Sequence, residues 1–140
     1  MKFYLSGGME YKDDLGMGWR EKVTLELENR RHEGVDPVKL EAREDGGALI
    51  QNTLTDLKLE HKLDEVRKIV REELFRKDMF AIQFSDAVVV LYDESVQRGA
   101  GTLSEAWEAF REGKPIYLVT DFDMERIPTW LIGETAQMFY

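Results

Sequence analysis

Ala87-Val88-Val89-Val90-Leu91 is an unbroken run of five apolar residues, and it constrains the fold more than any other feature of this chain. A strand with one wet face alternates apolar and polar residues. A continuous β-branched run needs cover on both faces, as in the central strand of a parallel sheet. A second such run, Ile116-Tyr117-Leu118-Val119, follows one helix later, and a shorter one, Phe3-Tyr4-Leu5, opens the chain. Val35-Asp36-Pro37-Val38 reads as a further short strand that its proline cuts off.

Between these runs the apolar spacing becomes helical. Trp19, Val23 and Leu27 recur every fourth position, predicting a helix from Trp19 to Arg31 that Gly34 ends. The strongest helical stretch runs from Leu63 to Phe84, with Leu63, Val66, Ile69, Val70, Leu74, Met79 and Ile82 at roughly helical spacing. Another is predicted from Leu103 to Arg111, closed by Gly113, and a last one from Pro128 to Glu134. Residues 40–62 are polar with isolated leucines and read as a long excursion with a little helix, the kind of segment that makes a lid, a binding surface or an oligomer contact. Strand and helix alternate four times, which predicts an α/β fold: a doubly wound, flavodoxin- or Rossmann-like open parallel sheet with helices on both faces. Ligands of such sheets lie beyond the carboxyl ends of the strands, so the loops after Leu5, Leu91 and Val119 are the places to look.

Length and charge narrow the chemistry further. The 140 residues suit one domain spanning 1–140, and 43% hydrophobic residues are enough for a core. With 28 acidic against 19 basic residues the net charge is −9, which disfavours a nucleic-acid polymer as partner. There is no cysteine, and His32 and His61 lie in charge-dense surroundings, so no metal and no cofactor is expected. No apolar run approaches the ~18–20 residues of a membrane span. The first residues lack the apolar stretch of a signal peptide, and a cytoplasmic protein with no membrane partner is expected.

Two candidate loops are glycine-rich: Ser6-Gly7-Gly8 and Gly99-Ala100-Gly101-Thr102. Glycine there lets a ligand approach the backbone and exposes amide N–H groups, although neither loop fits a Walker or dinucleotide pattern, and ordinary turns would look the same. Gly101-Thr102-Leu103-Ser104-Glu105 has two readings. Thr-x-x-Glu before a helix is a capping box, with Thr102 as N-cap and Glu105 reaching back. The same carboxylate in a first helical turn feels the positive end of the macrodipole, worth ~0.3–1 kcal/mol, which keeps it ionised as a nucleophile must be. Asp78 could be a solvated helix acid and Asp86 a strand-edge acid. Tyr4 shares a strand face with Lys2 and Ser6, where packing against a helix is its default role.

Taken in order, Tyr4-Leu5-Ser6-Gly7-Gly8, Arg76-Lys77-Asp78-Met79, Ser85-Asp86-Ala87-Val88-Val89-Val90-Leu91, Gly101-Thr102-Leu103-Ser104-Glu105 and Gly113-Lys114-Pro115 resemble the nucleoside 2-deoxyribosyltransferase family, which includes deoxynucleoside monophosphate N-glycosidases. The resemblance implies Glu105 as nucleophile, Asp78 as the acid that handles the nucleobase proton, and Tyr4 as the residue that orients the nucleophile. It implies Ser6, Gly7, Gly8, Gly99, Gly101 and Thr102 around the substrate. The implied reaction is cleavage of the N-glycosidic bond of a 2′-deoxynucleoside and transfer of the deoxyribosyl group to another nucleobase, through a covalent glutamyl intermediate as in a retaining glycosidase. The implied partners are a deoxynucleoside or deoxynucleotide and a free nucleobase, within a homo-oligomer, dimer or higher, whose neighbouring subunit completes the site. Trp130-Leu131-Ile132 and Met138-Phe139-Tyr140 could serve that interface or the chain's own core.

The chain departs from the family in two places. Six residues before the nucleophile, where transferases often carry an acid and the hydrolases a serine, stands Gly99. The first loop offers Gly8 and Glu10 instead of the hydrolases' serine and arginine, and Glu10 would repel a 5′-phosphate if it pointed inward. Two alternatives therefore stand beside transfer: a hydrolase releasing the base from deoxynucleoside 5′-monophosphates, and a nucleotide-binding or sensing module without turnover.

Overall fold

The run at 87–91 forms β3 (Ala87–Leu91), the middle strand of a five-stranded, all-parallel sheet in which Val88 and Val90 are fully buried. The computed structural model describes residues 1–41 and 47–140. β1 (Lys2–Gly7), β2 (Glu33–Val35), β4 (Ile116–Val119) and β5 (Gln137–Phe139) complete the sheet in the order β2-β1-β3-β4-β5. The helices are α1 (Met17–Asn29), α2 (Pro37–Glu41), α3 (Gly47–Leu59), α4 (Leu63–Ile69), α5 (Arg76–Gln83), α6 (Glu94–Arg98), α7 (Gly101–Arg111) and α8 (Thr129–Glu134). The result is a doubly wound α/β fold with flavodoxin-like strand order. In this order the chain reverses direction across the sheet between β1 and β3, whose register pairs Ser6 with Val90 and Gly7 with Leu91. The crevice beyond those two strand ends is where a ligand belongs.

α7 packs on this crevice with the face formed by Thr102, Glu105, Ala106 and Ala109, all buried. The two alanines let the helix lie close on the sheet, against Val88, Val90, Ile116 and Leu118. Gly113, at φ +70, closes α7 as expected, because a left-handed turn there costs glycine little.

Several expectations are corrected. Val35-Asp36-Pro37-Val38 is not one strand: β2 stops at Val35, and Asp36 starts α2 by accepting the Val38 amide at 2.9 Å. Proline at the first helical position has no amide to lose, so the residue read as a strand breaker is a helix starter. α1 ends at Asn29, where Arg31 takes the left-handed turn at φ 63; Gly34 lies instead within β2. Met138 and Phe139 belong to an edge strand paired with β4, with Met138 packed against the core. Of the excursion at 40–62, residues 42–46, with the break expected at Gly46, lie outside the described residues, while Gly47–Leu59 is helical throughout.

The helix predicted over Leu63 to Phe84 is continuous from 63 to 83, with a π-helical segment, Val70–Phe75, between α4 and α5. Val66, Val70, Leu74 and Asp78 lie four residues apart. In a pure α-helix each such step overshoots the face by about 40°. The wider i→i+5 turns of the π segment take up that drift, and all four residues line one cavity.

One buried charge ties the crevice together. Arg20 of α1 is fully buried and donates to the carbonyls of Leu5 and Gly7 at 3.0 and 2.8 Å and to those of Leu15 and Gly16 at 3.0 and 3.1 Å. Its Nε lies 3.7 Å from Oδ1 of buried Asp36. Replacing Arg20 by alanine strands that carboxylate and leaves these carbonyls without this donor. The expected cost is about 3–5 kcal/mol of unfolding free energy, read from urea midpoints at constant m. An unchanged midpoint would show that the arginine is dispensable to the fold.

Candidate active site

Tyr4 and Ser6 alternate onto the same face of β1, toward α7. Both hydroxyls donate to one carboxylate: Tyr4 to Oε1 of Glu105 at 2.9 Å, and Ser6 to Oε2. Glu105 therefore does not close a capping box. α7 begins at Gly101, its N-cap is Ala100 with no side-chain bond, and Thr102 sits inside the helix. The capping expectation fails because the carboxylate is committed to β1.

Glu105 is 9% exposed and opens onto a cavity of about 390 Å³. Gly7, Gly8, Gly99, Gly101 and Thr102 line it, as does Asp78 on the wall contributed by α5. Ser6 departs from its expected place: it is fully buried and holds Glu105 from behind instead of facing the cavity. Tyr4, likewise fully buried, is not part of the lining and reaches the site through its bond to Glu105. A Cβ on Gly8 would collide with the Ser95 side chain, so only glycine lets the first loop pass this close to α6. Asp86 has no part in the cavity; its Oδ2 accepts the Lys2 amide at 2.6 Å at the other end of the sheet.

Two walls of this cavity are not evident from motif reasoning. One is apolar: Leu54 from α3, with Val66, Val70, Leu74, Phe75 and Met79 from the long helix. The helical stripe visible in the sequence thus faces the cavity as well as the core. The other is polar: Gln51 and Lys58 of α3 and Glu10 of the first loop, with Lys58 and Glu10 ion-paired. Gln51, Leu54 and Lys58 stand three and four residues apart, a helix-face signal hidden among threonine, asparagine and aspartate. Glu10 does border the cavity, with its charge offset by Lys58.

The electrostatics follow from burial. Burial pushes the Glu105 carboxyl above its ordinary range, against the Ser6 and Tyr4 hydrogen bonds and the Arg20 charge, which pull it down. Tyr4 is held well above the usual phenol range by burial, then by the Glu105 and Asp78 charges, so it stays a donor. An ionisable group raised in this way favours folding at low pH. Its contribution is complete below the ordinary glutamate range and lost as pH rises through the folded value. Among the described residues no cluster of three histidine, aspartate or glutamate side chains is placed to hold a metal.

Removing either hydroxyl removes a bond made to the ionised form. Tyr4→Phe and Ser6→Ala should each move the Glu105 titration further upward, measured by carbon-13 NMR of the labelled carboxyl. A downward shift in either variant would contradict the assigned donors.

Comparison with known proteins adds fold-level evidence. No protein-family model and no curated protein sequence matches the chain. Solved structures share its fold, two of them as follows. A 2-deoxyribosyltransferase from the psychrotolerant bacterium Bacillus psychrosaccharolyticus superposes with a TM-score of 0.67 at 18% identity, covering 100% of this chain and 86% of the other. A CMP N-glycosidase from Clostridium botulinum superposes with a TM-score of 0.56 at 16% identity, covering 99% and 88%.

Proposed function

We propose that the protein belongs to the nucleoside 2-deoxyribosyltransferase family and cleaves the N-glycosidic bond of 2′-deoxynucleosides, passing the deoxyribosyl group to a second nucleobase. The observation that carries this reading is the pair of hydrogen bonds from Tyr4 and Ser6 to Glu105, on a cavity whose lining also includes Asp78. A glutamate used only to begin a helix has no need of two buried hydroxyls from another strand. The shared fold with a 2-deoxyribosyltransferase and an N-glycosidase points the same way.

In the proposed mechanism an oxygen of Glu105 attacks the anomeric carbon while the carbon–nitrogen bond breaks and its electron pair leaves with the base. Asp78 supplies the proton that neutralises the departing base. The intermediate is an ester between Glu105 and the sugar. A second base then attacks the same carbon, gives its proton to Asp78, and returns Glu105 as carboxylate, so configuration is retained. The negative charge of Glu105 also stabilises the oxocarbenium character of both transition states. Tyr4 and Ser6 hold the carboxylate in line. The apolar wall from Val66 to Met79 suits a flat base, and Gln51 offers it one donor and one acceptor.

Charge favours the nucleoside over the nucleotide. Among the described residues the charged lining groups are Glu10, Lys58, Asp78 and Glu105, three acids against one base, a poor setting for a 5′-phosphate dianion.

The test is base release from thymidine, deoxyadenosine and their 5′-monophosphates, with and without a second free base. A new nucleoside should form only with the acceptor present, and the monophosphates should be the poorer substrates. Glu105→Ala should lose at least about 10³-fold in kcat, as expected when a covalent nucleophile is removed. Free sugar released regardless of acceptor would make the protein a hydrolase. Ligand binding without any turnover would make it a sensing module.

A further inference from the structure

Beyond Tyr4, β1 has a strand partner on one side only. β2 stops at Val35, which pairs with Tyr4, so the β2 side of β1 is left open from Leu5 to Gly7. Arg20 takes the place of the missing strand. In an extended strand the carbonyls of Leu5 and Gly7 point to the same edge, and the guanidinium donates to both, from Nε at 3.0 Å and Nη2 at 2.8 Å. Ser6 lies between these two anchors, and its hydroxyl holds Oε2 of Glu105.

The loop after β1 is shaped to the same cation. Leu15 and Gly16 are consecutive left-handed residues, at φ 55 and 75, and both of their carbonyls accept from Nη1. That conformation is costly for leucine and persists only where the surroundings impose it. A Cβ on Gly16 would lie 2.4 Å from Nη1. A Cβ on Gly7 would lie 2.7 Å from the Trp19 ring, which stands 4.7 Å from the guanidinium carbon. Among the described residues Arg20 is the one arginine or lysine that is buried.

Its charge also reaches the carboxylate. Glu105 is held by Tyr4 and Ser6 of β1, shares its cavity with Asp78 of α5, and lies on the same cavity as the paired Glu10 and Lys58. An ionised Asp78 opposes a second negative charge there, whereas Arg20 favours it. Asp36, 3.7 Å from Nε, offsets part of the Arg20 charge.

We propose that Arg20 is a positioning residue for the deoxyribosyl chemistry: it fixes the strand end that presents Ser6 to Glu105, and the Arg20–Asp36 pair sets the charge that the carboxylate feels. The kinetic consequences rest on the reaction proposed above, whereas the effect on the carboxylate is readable without turnover. Substitution separates geometry from charge. Arg20→Lys keeps the charge but brings three N–H donors to four carbonyls. Arg20→Gln removes the charge. Asp36→Asn keeps an acceptor for the Val38 amide, so α2 keeps its start, and leaves the Arg20 charge without its offset.

The experiment follows the carbon-13-labelled Glu105 carboxyl by NMR and the pH profile of base transfer in wild type and these three variants. Losing the cation disfavours the carboxylate, so Arg20→Gln should move the titration up in pH, and the acidic limb of kcat/KM with it. Losing the Asp36 charge does the reverse, so Asp36→Asn should move both down. Arg20→Lys should leave the titration near its wild-type position yet lose about 10- to 100-fold in kcat with KM little changed, as for a displaced nucleophile. An arginine that served the fold alone gives no such opposition: loosening either partner lets water reach Glu105 and moves the titration down in both cases.

Three results would overturn the proposal: a titration unmoved or lowered in Arg20→Gln, one unmoved or raised in Asp36→Asn, or wild-type kcat in Arg20→Lys. Where the Arg20 variants do not fold, Asp36→Asn decides by its sign. Absence of base transfer in wild type would overturn the reaction and the kinetic role together, while the titrations still decide whether Arg20 and Asp36 govern the carboxylate.

Discussion

The site depends on one interaction across the interface between α7 and β1: the Glu105 carboxylate held by the hydroxyls of Tyr4 and Ser6. It joins the first strand to a helix about a hundred residues later, at the reversal point of the sheet. Because the bonding groups are buried, each is effective in a way that a surface pair would not be. The same burial makes ionisation of Glu105 expensive, and the two hydroxyls together with Arg20 offset part of that cost. The fold thus holds a carboxylate that is largely dry, with its charged form supported by two hydroxyls and a buried guanidinium.

Arg20 gives this arrangement its second support. By bonding the carbonyls of Leu5 and Gly7, it fixes the backbone on either side of Ser6, and through Leu15 and Gly16 it gathers in the loop that follows. Asp36, which starts α2, sits against the same guanidinium. A single cation therefore coordinates the strand end, the first loop and the neighbouring helix. It also adds a positive field toward Glu105 without touching it. α3 and the π-helical segment then close the far side with apolar groups and one amide.

Much of this was legible in the residues. The β-branched run at 87–91 declared a central parallel strand, and the alternation of runs and helical stripes declared the layered fold. The glycines after β1 marked the crevice, whereas Gly99 and Gly101 line it from the junction between α6 and α7, because a helix not read from the sequence separates them from the end of β3. What the pattern hid has physical causes. Arg20 lies on the same helix face as Val23 and Leu27, yet a search for apolar periodicity passes over a charge at a core position. α3 was hard to read because threonine, asparagine and aspartate compete with the backbone for hydrogen bonds and weaken any helical preference; buried Leu54 helps compensate. Pro37 misled because proline ends strands and begins helices, and only Asp36 before it decides which. Thr102 and Glu105 had capping spacing, and nothing local could reveal that Tyr4 and Ser6 would claim the carboxylate instead.

The central claim is that Glu105 forms a bond to the sugar, and mass spectrometry tests it directly. The protein is mixed with a deoxynucleoside in the absence of acceptor base, quenched in acid, and its peptides are mapped. The account predicts one deoxyribosyl group on the peptide that carries Glu105, disappearing when an acceptor base is added before the quench. Base release with no label on that peptide, or a label on another side chain, would contradict it.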